Sequence, residues 1–161
     1  MTKRRIPNVR PQPLRLVPAI HRATHRIGLY LAALRQHDLS QGESHILAHL
    51  AASGPARVGD LHEGLAHKRS TLTSILDRLA ARGLVTREVG LRDRRTFVIS
   101  LTPRGRKVAH QVYRHLLELE RAVAASASSD EIRAFLKILS AFEQEARRTT
   151  ARSQEPGRDW R

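Results

Sequence analysis

The chain has 161 residues, with 29 Lys and Arg against 15 Asp and Glu, a formal net charge of +14 and a pI near 11.6. That is the length of one domain, and so large a basic excess calls for an anionic partner, either nucleic acid or an anionic membrane surface. There is no cysteine, and the longest purely apolar run is the six residues Leu29-Tyr30-Leu31-Ala32-Ala33-Leu34. Disulfide scaffolds, thiolate metal sites, cysteine nucleophiles and membrane spans of about 18 residues are thereby excluded.

Charge is spread unevenly: residues 1–39 carry +7, residues 40–101 +3 and residues 102–161 +4. The first acidic residue is Asp38, so an Arg-rich transit peptide is weighed for the N-terminus. The continuation into an amphipathic helix makes a basic mobile arm over residues 1–13 the better reading. From Pro18 the apolar positions Ile20, Ala23, Ile27, Leu31 and Leu34 mark one face of a helix ending near His37, with Pro18 suited to its first position. Ser40-Gln41-Gly42-Glu43 is a capping box that opens a second helix over about residues 41–52, with Ile46, Leu47 and Leu50 inward. Ser53-Gly54-Pro55 breaks it, and Val58, Leu61 and Leu65 mark a short third helix.

The fourth helix covers about residues 68–79. Leu72, Ile75, Leu76 and Leu79 form its buried face, and Gly83 stands where it stops. Its solvent face collects Arg69, Ser70, Thr73, Ser74, Asp77 and Arg78, short hydroxyls flanked by guanidinium groups. Such a face suits the major groove, where short side chains bring a helix close to base edges and arginine reaches phosphate or guanine. The alternative for Ser70, Thr71 and Thr73 is a capping role at the helix start. Lys68 and Arg69 open the helix, where a cation gains nothing from the dipole, which favours contact with phosphate.

Strand-like runs at residues 84–89 and 96–101 flank Gly90-Leu91-Arg92-Asp93-Arg94-Arg95, a hairpin tip with three arginines. Arginine inserted into a narrow minor groove meets an enhanced negative potential. Thr102-Pro103 starts a fifth helix, with Val108, Val112, Leu116, Leu119 and Val123 inward. Ser128-Ser129-Asp130-Glu131 is a second capping box, opening a last helix with Ile132, Phe135, Leu139 and Phe142 inward to about Arg147, and a mobile tail is expected over residues 148–161. The order predicts a mainly α fold with a small β-hairpin wing. A winged helix-turn-helix over residues 40–101 lies between an N-terminal helix (residues 14–39) and two C-terminal helices (residues 102–147).

Ser70-Thr71-Leu72-Thr73 and Leu79-Ala80-Ala81-Arg82-Gly83-Leu84-Val85, then Asp93-Arg94-Arg95 and Leu101-Thr102-Pro103-Arg104-Gly105, resemble the MarR family of bacterial regulators. The wing pattern Asp-x-Arg followed by Leu-Thr-x-x-Gly is present in order, and the likeness extends over about residues 14–147. The resemblance implies a cytoplasmic homodimer whose outer helices interdigitate and whose two recognition helices read a pseudo-palindromic operator in double-stranded DNA. It implies repression relieved by a small phenolic or anionic effector. Lys68, Arg69, Ser70, Thr71, Thr73, Ser74 and Arg78 would line the recognition surface. In the wing, Asp93 would pair with Arg95 while Arg92 and Arg94 enter the minor groove.

His21 with His25, and His45 with His49, stand four apart, a spacing that can place two imidazoles on one metal. Metal-sensing family members use histidines near these helices, yet further ligands are not evident, and no metal site or cofactor is expected. A pocket lined by His25, Tyr30, His45 and His49 is the expectation for an organic effector. No nucleophile-elbow, phosphate-loop or paired-carboxylate pattern is present, so no catalytic residue is assigned. Three alternatives remain beside a sequence-specific repressor: a non-specific architectural DNA-binding protein, a metal-responsive regulator of the same fold, and a membrane-surface binder. The last conflicts with the need for Ile20, Ile27, Leu31 and Leu34 in a dimer core.

Overall fold

The structure, a computed structural model, describes residues 14–33, 38–65, 68–90 and 96–154. The elements are α1 (Leu16–Ala33), α2 (Gln41–Ser53), β1 (Ala56–Arg57), α3 (Val58–Gly64), α4 (Arg69–Ala81), β2 (Val85–Val89), β3 (Phe97–Leu101), α5 (Pro103–Ala124) and α6 (Ser129–Gln154). The expected mainly helical winged fold is present. It divides into two compact units, Met1–Tyr113 and Arg114–Arg161.

In the first unit the three helices of the helix-turn-helix bury one contiguous core. Ile46, Leu47 and Leu50 of α2 meet Leu61 of α3, Leu72, Ile75, Leu76 and Leu79 of α4, Ile99 of β3 and Val108 and Ala109 of α5. Seven of these side chains are almost wholly removed from water: Ile46, Leu47, Leu61, Leu72, Leu76, Leu79 and Ile99. Each fully buried Leu or Ile contributes about 1.5–3 kcal/mol relative to exposure, so α4 is held by its apolar face while its other face stays open.

The sheet has the antiparallel order β1-β3-β2. Register in the hairpin pairs Val85 with Leu101, Arg87 with Ile99 and Val89 with Phe97. Gly90 N donates to Thr96 O across 2.8 Å at the last described rung. The sequence gives no sign of β1, whose two residues pair Ala56 with Ile99 and Arg57 with Val98. Two residues are too few to show a period of two.

Helix ends follow local chemistry. Ser40 Oγ accepts from Glu43 N at 3.3 Å while Glu43 Oε2 accepts from Ser40 N at 2.7 Å, the capping box expected for α2. α4 closes with Gly83 at φ +65°, Gly83 N donating to Ala80 O and Leu84 N to Leu79 O, both at 2.9 Å. That is a Schellman turn, which needs a left-handed residue and so favours glycine. Thr102 caps α5, its Oγ1 accepting from Gly105 N at 2.8 Å and donating to Gly83 O at 2.7 Å.

Several boundaries differ from expectation. α1 begins at Leu16, so Pro18 is its third residue. Helix N–H groups in the first turn have no intrahelical acceptor, and a proline is tolerated there as well as at the first position. Residues 34–37, where the helix was expected to end, lie outside the described residues. In the second unit the Ser128 box caps α6 as read, with Ser128 N donating to Glu131 Oε2 at 2.8 Å and Glu131 N to Ser128 Oγ at 3.3 Å. The helix then runs to Gln154, seven residues beyond Arg147 and into the expected tail. Residues such as Glu143, Glu145, Arg147, Arg148 and Arg152 are good helix formers without apolar periodicity, so propensity carries the helix where pattern is silent. Val123 and Phe135, expected inward, are 60% and 56% exposed, and Leu136 and Ile138 are exposed as well.

Candidate nucleic-acid interface

The open face of α4 carries Arg69, Ser70, Thr71, Thr73, Ser74, Asp77 and Arg78, all exposed. The structure therefore brings the residues expected at the recognition surface onto one helix face. Lys68, also exposed, is the N-cap residue of α4 and makes no side-chain cap bond. The capping alternative for Ser70, Thr71 and Thr73 does not hold, because all three lie inside the helix. Thr73 Oγ1 donates to Arg69 O and Ser74 Oγ to Ser70 O, each at 3.0 Å. With its proton committed to the helix, each hydroxyl turns lone pairs outward, which matches the amino groups of adenine and cytosine in the major groove. The first turn of α4 leaves backbone N–H groups beside Lys68 and Arg69, a combination that suits a phosphate oxygen.

Arg78 is not a free side chain. Its Nε donates to Glu43 Oε1 at 3.2 Å, although the side chain remains 53% exposed. One turn later, Arg82 Nη1 donates to Asp38 O at 3.0 Å and lies 3.9 Å from Glu43 Oε2. Asp38 holds φ +47° on the chain leading into α2. The Glu43 side chain is only 5% exposed, so a buried carboxylate at the start of α2 joins that connection to the last two turns of α4. In the sequence Glu43 shows only as the second half of a capping box. The signal available was Arg78 and Arg82 four apart, but nothing in one sequence says which acid they face.

Burial pushes the Glu43 carboxyl up, and the hydrogen bonds from Ser40 and the Arg78 guanidinium outweigh it, leaving the group below its ordinary value of 4.5. A carboxyl with a depressed folded-state pKa binds protons more weakly folded than unfolded. Its contribution is therefore complete above the ordinary value and is lost as pH falls through the folded one. Thermal melts between about pH 6 and pH 3 are expected to show the melting temperature falling on the acid side, with a shallower fall for Glu43→Gln. An equal fall in that variant would assign the acid sensitivity to other carboxylates, such as Glu131, whose bonds from Ser128 also lower it.

Asp77 on the open face of α4 lies 3.5 Å from Arg87 Nη2 of β2, and that guanidinium stands 5.7 Å from the centroid of Phe97 on β3. This contact ties α4 to β2 and β3. The wing residues Arg92, Asp93, Arg94 and Arg95 lie outside the described residues. Of the expected effector-pocket residues, exposed His25 and half-buried Tyr30 stand on α1, and half-buried His45 and His49 on α2. The two helices are neighbours, with Gln41 Nε2 donating to Thr24 O at 3.4 Å. Among the described residues no group of three or more His, Asp and Glu side chains is arranged to hold a metal ion. No described helix is long and apolar enough to cross a membrane.

The sequence model of the MarR family matches residues 39–97, which run from the start of α2 to β3. Over these residues the chain is similar to the MarR family. Among curated relatives, an uncharacterised HTH-type transcriptional regulator YfiV of Bacillus subtilis is 32% identical over 87 residues, 53% of this chain and 54% of that one. The chain thus spans about half the length of that relative. The homoprotocatechuate degradative operon repressor of Escherichia coli is 28% identical over 109 residues, 68% of this chain and 74% of that protein. Among solved structures, the Staphylococcus aureus MepR–DNA complex has a TM-score of 0.70 at 21% identity, covering 83% of this chain and 99% of that one. The winged helical fold is thus shared with that DNA-bound regulator.

Proposed function

We propose that the protein is a cytoplasmic, sequence-specific double-stranded DNA-binding regulator, a homodimeric repressor released by a small phenolic or anionic ligand. The observation that carries this reading is the α4 face: hydroxyl acceptors and cations turned to solvent on a helix whose opposite face is anchored by Leu72, Ile75, Leu76 and Leu79. Lys68, Arg69, Ser70, Thr71, Thr73, Ser74 and Arg78 supply the major-groove contacts, and Arg92 and Arg94 the minor-groove contacts, with Asp93 bracing Arg95. Large apolar side chains left exposed in the single chain, Leu16, Val17 and Leu29 on α1 and Phe135, Leu136 and Ile138 on α6, support a second copy as their cover. The name of the homoprotocatechuate operon repressor supports an aromatic acid as the effector class, with His25, Tyr30, His45 and His49 as its proposed contacts.

Selection of duplexes from a random-sequence pool, followed by footprinting on the protein's own genome, tests the reading. The expected product is a pseudo-palindrome with half-sites about 34–36 Å apart, bound about 10³-fold or more tightly than random DNA. Equal affinity for any duplex would overturn it in favour of an architectural DNA-coating protein.

A further inference from the structure

Glu43 is the only buried acidic side chain among the described residues, and its bonds to α4 exceed what a helix cap requires. A capping box needs the carboxylate to accept from the backbone N–H of the cap residue, and Oε2 does this with Ser40 at 2.7 Å. The second oxygen, Oε1, is directed instead at Arg78 on the recognition helix, 35 residues away in sequence. On the other side of the contact, the guanidinium has five N–H donors in one rigid plane. It gives Nε to Glu43 while more than half of the side chain stays in solvent. A long side chain at a DNA surface ordinarily loses several rotamers' worth of entropy when it engages a phosphate or a guanine edge. Fixing the plane through Nε incurs that loss during folding and leaves the remaining donors for an external acceptor.

Arg82 cannot take this part. Its Nη1 is bonded to the Asp38 carbonyl, and the side chain is more covered than Arg78, so it braces the chain entering α2. The arrangement is graded: Arg82 anchors, Glu43 bridges and Arg78 is presented.

We propose that Glu43 is a positioning residue for DNA recognition, its buried carboxylate holding Arg78 in the orientation in which the arginine contacts DNA. The proposal rests on the assignment of α4 as the recognition helix. It adds that one residue of α2, buried behind the DNA-facing surface, sets the affinity through another side chain. It also gives α2 a route to the reading head, because displacement of the α2 start would move the acceptor on which Arg78 rests.

The test is a double-mutant cycle of Glu43→Gln and Arg78→Ala in the full chain, read as affinity for a duplex selected by the wild-type protein and, separately, as melting temperature. Glutamine keeps an acceptor for the Ser40 N–H, so the cap survives while the charge-assisted bond to Arg78 is weakened. Glu43→Gln is expected to lower affinity about tenfold in the wild-type background. With Arg78 already replaced it should change affinity by less than about twofold. Melting temperature should fall in both backgrounds. Arg78→Lys, which lacks the Nε–H and the planar fork, is expected to lose affinity nearly as far as Arg78→Ala, and tests the contact from its other side should Glu43→Gln fold poorly.

An equal loss from Glu43→Gln in both backgrounds would reduce Glu43 to a structural role and overturn the proposal. Tighter binding by Glu43→Gln would also overturn it, showing that the carboxylate withholds Arg78 from DNA. Unchanged affinity in Arg78→Ala would remove Arg78 from the interface while leaving the function assigned to α4 standing. Failure of the wild-type protein to select any duplex would overturn that function itself.

Discussion

Replacing Gly105 with alanine is expected to lower stability by about 3 kcal/mol or more. Gly105 is buried in the first turn of α5, where an added Cβ would fall 1.7 Å from Leu84 O and 2.7 Å from Leu84 C. Those are backbone atoms of the segment leaving α4, so no rotamer change relieves the overlap. The start of α5 would have to withdraw, which breaks the Thr102 bonds to Gly83 O and Gly105 N and opens the core where Leu84, Val108 and Ala109 meet. For a protein of this length about 2–4 °C of melting temperature accompanies each kcal/mol, so a drop near 10 °C is expected by calorimetry or circular dichroism. Gly59→Ala is the control. Its Cβ meets nothing within 4 Å, it lies in the first turn of α3, and alanine there should raise the melting temperature slightly. Should both variants melt like the wild type, the close approach of α5 to the α4–β2 turn is wrong.

Gly105 also explains part of what the sequence made legible. Leu101-Thr102-Pro103-Arg104-Gly105, one of the motifs that carries the family resemblance, is a joint: Thr102 caps α5 and grips the Gly83 carbonyl, and Gly105 lets backbone pass backbone. Such a joint is fixed by a glycine and a hydroxyl at set spacing, which is the kind of information a one-dimensional pattern keeps. The same holds for the capping boxes at Ser40 and Ser128 and for the four-residue apolar stripe of α4. Two-residue β1 and the last turns of α6 were not legible, the first because it is too short to show alternation and the second because charged helix formers leave no stripe. Least legible was the contact between Glu43 and Arg78, since a cap and an ion pair made by one carboxylate are indistinguishable in sequence. Knowledge of which helix packs across the start of α2 is required, and that is a property of the core.

Deleting residues 2–13, which precede α1 and carry Lys3, Arg4, Arg5 and Arg10, is expected to weaken binding to selected and random duplexes by the same factor. Charge on the reading head argues for this. Residues 40–101 hold a net +3, against +7 for residues 1–39. Non-specific affinity for duplex DNA comes almost entirely from phosphates neutralised and counterions released. A head so balanced orients well but attracts weakly, and the N-terminal +7 is the larger source of attraction. Each phosphate contact contributes a slope of about 0.9 in log affinity against log salt, so losing four should reduce the slope by up to about 3.6. In about 0.1 M salt that is a loss between roughly tenfold and a thousandfold, depending on how many contacts form together. Titrations at several salt concentrations, on a selected duplex and on a scrambled one of equal length, measure both slope and ratio. An unchanged ratio with a reduced slope is the expected pair of results. Loss confined to the selected duplex would instead make residues 2–13 a reader of sequence, and an unchanged slope would place their charge away from DNA altogether.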